Sequence, residues 1–168
     1  MKPLLLLACL LYAMPGQAQP LPVNQWANWS SYGTAVSNLA GAVSSAAQGD
    51  HKACDFGRLA LSLGTETTVT LWAKSKTNDP RPCTGAPGCN TDSGNPSGHT
   101  ALGMIGLRTA WSPQLAGWQR IMLAVSTAAV TGLLRNLAHE HYWRQIGWGA
   151  LVGAGSESAA LLVRCDGT

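Results

Sequence analysis

Apolar and small residues recur along most of the chain at helical spacing, and no stretch alternates with the period of a strand. Residues 34–48, TAVSNLAGAVSSAAQ, predict a helix of small residues able to pack closely on a neighbour. Residues 52–75 predict a longer helix carrying Leu59, Leu61, Leu63, Val69, Leu71 and Trp72, with Gly57 and Gly64 as weak points. Helical pattern resumes over 97–110 and 114–135, and the last helix is expected from about His141 to Arg164. Ahead of them, residues 19–33 are polar and aromatic, with Trp26, Trp29 and Tyr32, and are expected to form an arm. The tryptophans are expected mostly to pack between helices; for Trp26 and Trp29 the alternative is a lipid-facing groove, and with it a peripheral membrane contact.

One segment interrupts the helical pattern. Residues 77–96, TNDPRPCTGAPGCNTDSGNP, are dense in Pro, Gly, Asn, Asp and Ser. A loop this long in a compact domain is often functional. The expected fold is all-α, a compact bundle of five to six helices. Within it, Ile121–Leu134 is fourteen residues without a charge. That fits a buried core helix and falls short of the roughly 20 residues a membrane span needs.

The beginning of the chain lies outside this plan. MKPLLLLACLLYAMPGQAQP has a positive start, a short apolar run and a small-x-small pattern at Gly16-Gln17-Ala18. It reads as a secretory signal peptide of residues 1–18, leaving 19–168 as one domain. Leu6-Leu7-Ala8-Cys9 has the order of an acylation site, but the apolar run continues past Cys9, which argues against lipidation.

Composition agrees with a folded, exported chain. Hydrophobic residues make up 46% and charged residues 11%, enough for a core and too little charge for disorder. The formal net charge is +3 and falls by one when Lys2 leaves with the leader. So weak a charge excludes a nucleic-acid partner. Cys54, Cys83, Cys89 and Cys165 remain, an even number that suits two disulfides in an oxidising compartment. Of three connectivities, Cys83–Cys89 would close a short loop and leave Cys54 with Cys165. No C-x-x-C spacing supports zinc.

The candidate chemistry lies at the edges of the long loop and in a later segment. In GNPSGHT, Asn95 can cap a helix that has Pro96 in its first position. The amides of Ser97, Gly98 and His99 would then face an anion, with His99 able to supply a proton. Lys74, Arg81 and Arg135 offer donors to phosphate oxygens, and His141 could attack phosphorus. On one straight helix, however, Arg135 and His141 would point about 120° apart. They converge only if the helix breaks, and Asn136 is the candidate break.

A lysine six residues before Arg81-Pro82, then Pro96-Ser97-Gly98-His99, then Arg135 with five residues before His141, resembles the three-part signature of the type 2 phosphatidic acid phosphatase superfamily. That superfamily includes class A acid phosphatases and vanadium haloperoxidases. The motifs span residues 74–145, HYWRQIGWGALVGAG resembles the helix after the second histidine, and residues 19–60 carry no family motif. The resemblance implies a phosphatase acting on phosphomonoesters or lipid (pyro)phosphates through a phosphohistidine, with no cofactor and no metal. His141 would be the nucleophile and His99 the acid. Lys74, Arg81, Ser97, Gly98 and Arg135 would hold the phosphoryl group by charge and by positioned donors. A peroxidase of the same pocket would be a much larger chain.

Two positions depart from the family pattern. Leu134 stands where Ser is usual, and Gln145 where an Asp usually follows the nucleophile by four residues. One turn on, Gln145 can reach the His141 ring and accept its Nδ1 proton, but it carries no charge and its amide can flip. Glu140 would project from another face of a regular helix and is a poor substitute. In a serine-protease triad the equivalent acid-to-amide change costs about 10⁴ in rate, which suggests roughly 10²–10⁴ here. The alternative is therefore a non-catalytic member that binds phosphate groups or serves as a scaffold. Bland roles are expected for His139 (surface or near the site), His51 (exposed) and Lys76 (solvated).

Overall fold

The computed structural model describes residues 23–105 and 117–165; the expected leader lies outside them. Five helices follow in order: α1 (Gln25–Gln48), α2 (Lys52–Lys76), α3 (Gly98–Leu102), α4 (Gly117–Leu137) and α5 (Trp143–Ala160). The described residues contain no strand, so the all-α expectation holds. No helix among them is long and apolar enough to cross a membrane.

Most of the expected arm is helix. Asn24 opens α1, its side-chain oxygen accepting from the Ala27 amide at 3.3 Å. From there a stripe of small and polar residues, Ala27, Ser31, Ala35, Asn38, Ala42 and Ala46, turns inward. On α2 the buried stripe is Leu59, Ser62, Glu66 and Thr70, whereas Leu61, Val69, Leu71 and Trp72 face out. Along Ile121–Leu134, expected to be buried, Ile121, Met122, Val125, Val130 and Leu133 are exposed. The tryptophans do not fill the core either: Trp26 and Trp29 are each 70% exposed. The physical reason is the same in each case. Small residues bring the helix axes close together, and close axes leave no room for indoles between them.

Glycines set the tightest contact. A Cβ on Gly149 would lie 2.3 Å from the Ser97 carbonyl oxygen, and one on Gly153 2.5 Å from that of Ala101. These two residues, one turn apart on α5, let the backbone of α3 lie directly against it. Asn38 holds the other end of α3, donating from Nδ2 to the carbonyls of Leu102 (3.1 Å) and Ile105 (2.9 Å). The short helix that carries the Ser-Gly-His motif is thereby fixed at both ends. It begins later than expected: Ser97, not Asn95, is the N-cap residue, and the Asn95 side-chain oxygen finds no partner.

α2 and α5 run antiparallel. Ser62 donates to Glu157 at 2.8 Å, and the Cys54–Cys165 disulfide joins the start of α2 to the segment after α5. The second disulfide is Cys83–Cys89, inside the long loop. That loop is stitched to itself by Gly94 N–H to Asp79 O (2.8 Å) and to α5 by the Arg144–Asp79 ion pair. Arg81, Asn90 and Asp92 of this loop face the site.

The glycine contacts make a paired prediction. Gly149→Ala should lower unfolding stability by about 1–3 kcal/mol, because the Ser97 carbonyl is backbone and cannot move aside. Gly155→Ala, with open space around it, should raise stability by roughly 0.5–1 kcal/mol. Urea titration of both variants checks the contrast.

Candidate active site

Arg135 and His141 converge because α4 ends between them. The N–H of Glu140 donates to Arg135 O at 3.1 Å and that of His139 to Asn136 O at 2.9 Å, the two bonds of a Schellman motif. The left-handed residue of the motif is His139, with φ 58°, where glycine is the usual occupant. Asn136 does not end the helix by its own conformation, but its Nδ2 donates to His141 O at 3.1 Å and draws the chain back.

This turn also changes the geometry expected for Glu140, though not its poor fit as a partner for His141. The residue is not on a regular helix, so its side chain is not bound to the far face. It is 1% exposed, and its Oε2 accepts from Arg81 Nη1 at 2.8 Å and Arg135 Nη2 at 3.3 Å. Asn90 Nδ2 reaches the same oxygen at 3.3 Å.

Gln145 and not Glu140 serves the His141 ring. Gln145 Oε1 lies 3.3 Å from His141 Nδ1 and accepts from the Tyr142 N–H at 3.1 Å. Its Nε2 donates to Pro80 O at 2.8 Å. Both ends of the amide are therefore committed, and the flip expected from an unconstrained glutamine is blocked. A Cβ on Gly94 would lie 2.5 Å from Gln145 Nε2, so a glycine makes room for the amide. With the Gln145 carbonyl facing it, Nδ1 carries the ring proton. Nε2 then keeps its lone pair, 3.2 Å from Arg81 Nη1.

His141 lines a cavity of about 390 Å³ together with Lys74, Arg81, Gly98, His99 and Arg135. Six of the eight expected site residues thus share one cavity, and Gln145 stands behind it. Ser97 does not line it. Its N–H donates to Gln145 O at 3.0 Å and its hydroxyl accepts from Thr100 at 3.0 Å, so both are spent on packing. Gly98 carries the motif's backbone to the cavity wall instead.

Besides Leu102 of α3, four other lining residues had no motif to announce them. Tyr32 of α1 meets the His99 ring edge-on with centroids 4.3 Å apart, and the Arg135 guanidinium lies 6.0 Å from the Tyr32 ring centre. Leu71 and Asn90 complete the wall. Asp92, from the long loop, pairs with Lys74 at 2.5 Å and Arg81 at 2.6 Å. Beyond the wall, Asn28 and Ser31 of α1 accept from Arg135 Nη1. The nearest sequence signal for α1 was its aromatic spacing, which says nothing about a site on another helix.

The electrostatics follow from burial among cations. His99 is pushed down to about 3 by burial, then by the charges of Arg135, Arg81 and Lys74. His141 is held well below its ordinary value by burial and by the same cations, with the Gln145 contact working weakly the other way. Both rings are neutral near pH 7. The Asp92 carboxyl is pushed up by burial, but Lys74 and Arg81 outweigh that and hold it below its ordinary value.

The sequence model of the PAP2 superfamily matches residues 55–165. The chain belongs to this family of phosphatase-like proteins. No curated protein and no solved structure shows significant similarity to it. The match begins after α1, so Tyr32, Asn28 and Ser31 are brought to the site by a helix outside the matched region.

The depressed histidines fix a pH dependence of stability. In each case the folded value lies below the unfolded one near 6.5, so the unfolded chain takes up protons that the folded chain refuses. For His99 that stabilisation is complete above about pH 6.5 and is lost as pH falls toward about 3, by up to about 1.4 kcal/mol per pH unit, and His141 acts in the same direction. Thermal melts between pH 7 and 4 should show a falling Tm, and His99→Asn should flatten part of the slope.

Proposed function

We propose that the protein is an exported phosphatase that hydrolyses phosphomonoesters, or lipid phosphates and pyrophosphates, through a phosphohistidine on His141. One observation carries the proposal: His141 turns Nδ1 to the Gln145 amide oxygen, which puts the ring proton there and leaves Nε2 as the nucleophilic nitrogen, in a cavity lined by Lys74, Arg81 and Arg135. A nucleophile in that state is ready, and the cations supply what phosphoryl transfer chiefly requires. His141 Nε2 attacks phosphorus, the bond to the leaving oxygen breaks, and His99 delivers the proton that oxygen needs. Water then attacks the phosphorus and gives a proton back to His99, the bond from phosphorus to His141 Nε2 breaks with the electron pair returning to the ring, and orthophosphate leaves. In the empty cavity His99 is unprotonated at neutral pH. A phosphate dianion beside it offsets the three cations and raises its basicity, so proton uptake is coupled to substrate binding.

Export is supported by the leader-like residues 1–18, and both disulfides are compatible with an oxidising compartment such as the periplasm. A lipid substrate and a peripheral membrane contact are supported by exposed Trp29 beside Tyr32, and by Leu71 and its exposed neighbour Trp72. A second reading, a phosphate-binding or scaffold protein without turnover, is favoured by the uncharged Gln145.

His141→Ala should abolish hydrolysis of an aryl phosphate while orthophosphate still protects the fold against heat; retained turnover would remove the phosphohistidine. Gln145→Asp should raise kcat, by as much as roughly 10²–10⁴. It should also lose about 0.5–1.5 kcal/mol of stability, because the hydrogen bond from Gln145 Nε2 to the Pro80 carbonyl is lost. A folded variant with an unchanged or slower rate would show that Gln145 is not the limiting residue.

A further inference from the structure

The phosphoryl cradle of the free protein already holds an anion of its own. Asp92 spans Lys74 and Arg81 with one carboxylate oxygen on each, at 2.5 and 2.6 Å. Two oxygens of a phosphoryl group would engage the same two cations in the same way.

A count of donors shows how few are left for a second anion while Asp92 is in place. Arg81 has five N–H groups. Nε–H goes to Asp92 O at 3.3 Å, and the two on Nη1 are taken by Glu140 and His141 Nε2. One on Nη2 goes to the Asp92 carboxylate, leaving a single N–H. Lys74 gives two of its three donors to Asp92 and Ser93 O. One N–H is left on each cation, so a phosphoryl group can take a single contact from each, and it gains the full grip that Asp92 now has only by displacing it.

The two carboxylates differ in how firmly they are held. Glu140 is buried between two guanidiniums on the turn that positions His141. The Asp92 side chain is 52% exposed and comes from a loop fastened elsewhere, by the Thr77–Ser93 hydroxyl pair (2.8 Å) and the Gly94–Asp79 bond. Asp92 can rotate toward solvent without dismantling either fastening. Its departure also corrects the charge. Three cations against two carboxylates leave one net positive charge; without Asp92 they leave two, matching a phosphomonoester dianion.

We propose that Asp92 is a built-in competitor for the phosphoryl site, displaced from Lys74 and Arg81 by the incoming phosphate and returning to expel orthophosphate. It thereby sets phosphate affinity and the rate of product release. The proposal rests on the assignment of this cavity as a phosphate site.

The test uses the full mature chain and titrates inorganic phosphate and vanadate by calorimetry, alongside Asp92→Asn and Asp92→Ala. Both variants should bind phosphate about 5- to 30-fold more tightly, the gain from deleting a competitor with two partly exposed ion pairs. With an aryl phosphate, KM and the inhibition constant for orthophosphate should fall together and kcat should drop as release slows. Asp50→Asn, which removes an exposed carboxylate outside the cavity, should leave affinity unchanged; an equal gain there would reduce the effect to net charge and overturn the proposal. Unchanged or weaker phosphate binding by folded Asp92→Asn would make Asp92 a plain loop anchor and also overturn it. If the wild-type chain binds neither anion, the phosphate-site assignment itself fails and takes this proposal with it.

Discussion

Among the described residues two guanidinium groups are buried, and one carboxylate makes that tolerable. Glu140 lies between Arg81 and Arg135, at 2.8 and 3.3 Å, with all three side chains withdrawn from solvent. Removing one partner from such a set leaves an uncompensated charge and typically costs about 3–5 kcal/mol. The arrangement is thus a constraint as much as a contact. It fixes the direction of both arginines, and the Arg81 Nη1 that meets Glu140 also meets His141 Nε2. Aiming the cations and aiming the nucleophile are one structural event.

That event depends on where helices stop and how closely they approach. Glu140 reaches the arginines only because α4 ends in a left-handed residue, His139, which turns the chain before α5 starts. α5 in turn places Gln145 behind the nucleophile, and through Gly149 and Gly153 it accepts the backbone of α3. His99 on α3 therefore sits in the cavity that His141 lines. The small-residue face of α1 closes the remaining side, with Tyr32 against His99 and with Asn28 and Ser31 on Arg135. Tight packing of small side chains here serves position more than burial of apolar area, and the large apolar side chains are left outside.

Much of this was legible in the sequence, and the limits are physical. Helical periodicity located α2, α4 and α5 to within a few residues because long elements dominate their own pattern. The motifs named Lys74, Arg81, His99, Arg135 and His141 because each role requires a particular side-chain chemistry. Periodicity failed on which face turns inward. Leu61, Leu71 and Trp72 look like core, but Ser62, Glu66 and Thr70 are buried, because polar partners and close helix approach outweigh hydrophobicity there. The place of Glu140 between the two arginines was missed for a different reason. Its direction follows from one left-handed residue, and a histidine in that place gives no glycine signal. Asp92 and Tyr32 were invisible because their roles arise from contacts distant in sequence.

The absent carboxylate behind His141 now has a clearer meaning. Gln145, locked by Tyr142 and Pro80, performs the orienting half of an acid's work and leaves the electrostatic half undone. The ring accordingly stays neutral, since burial and three cations act on it without an anion at Nδ1. Neutrality suits the attacking histidine and disfavours the cationic ring formed once Nε2 is phosphorylated. Under the proposed mechanism, the charge that stabilises that ring must come from the phosphoryl oxygens and from Glu140 beyond Arg81. Binding and turnover thus draw on different residues. In that mechanism Lys74, Arg81 and Arg135 hold the anion, whereas His141, His99 and Gln145 decide whether the bond to it is broken. A chain that kept the first set and weakened the second would still be a competent phosphate binder. The two functional readings are therefore neighbouring points on one electrostatic scale, separated by the single charge that Gln145 lacks.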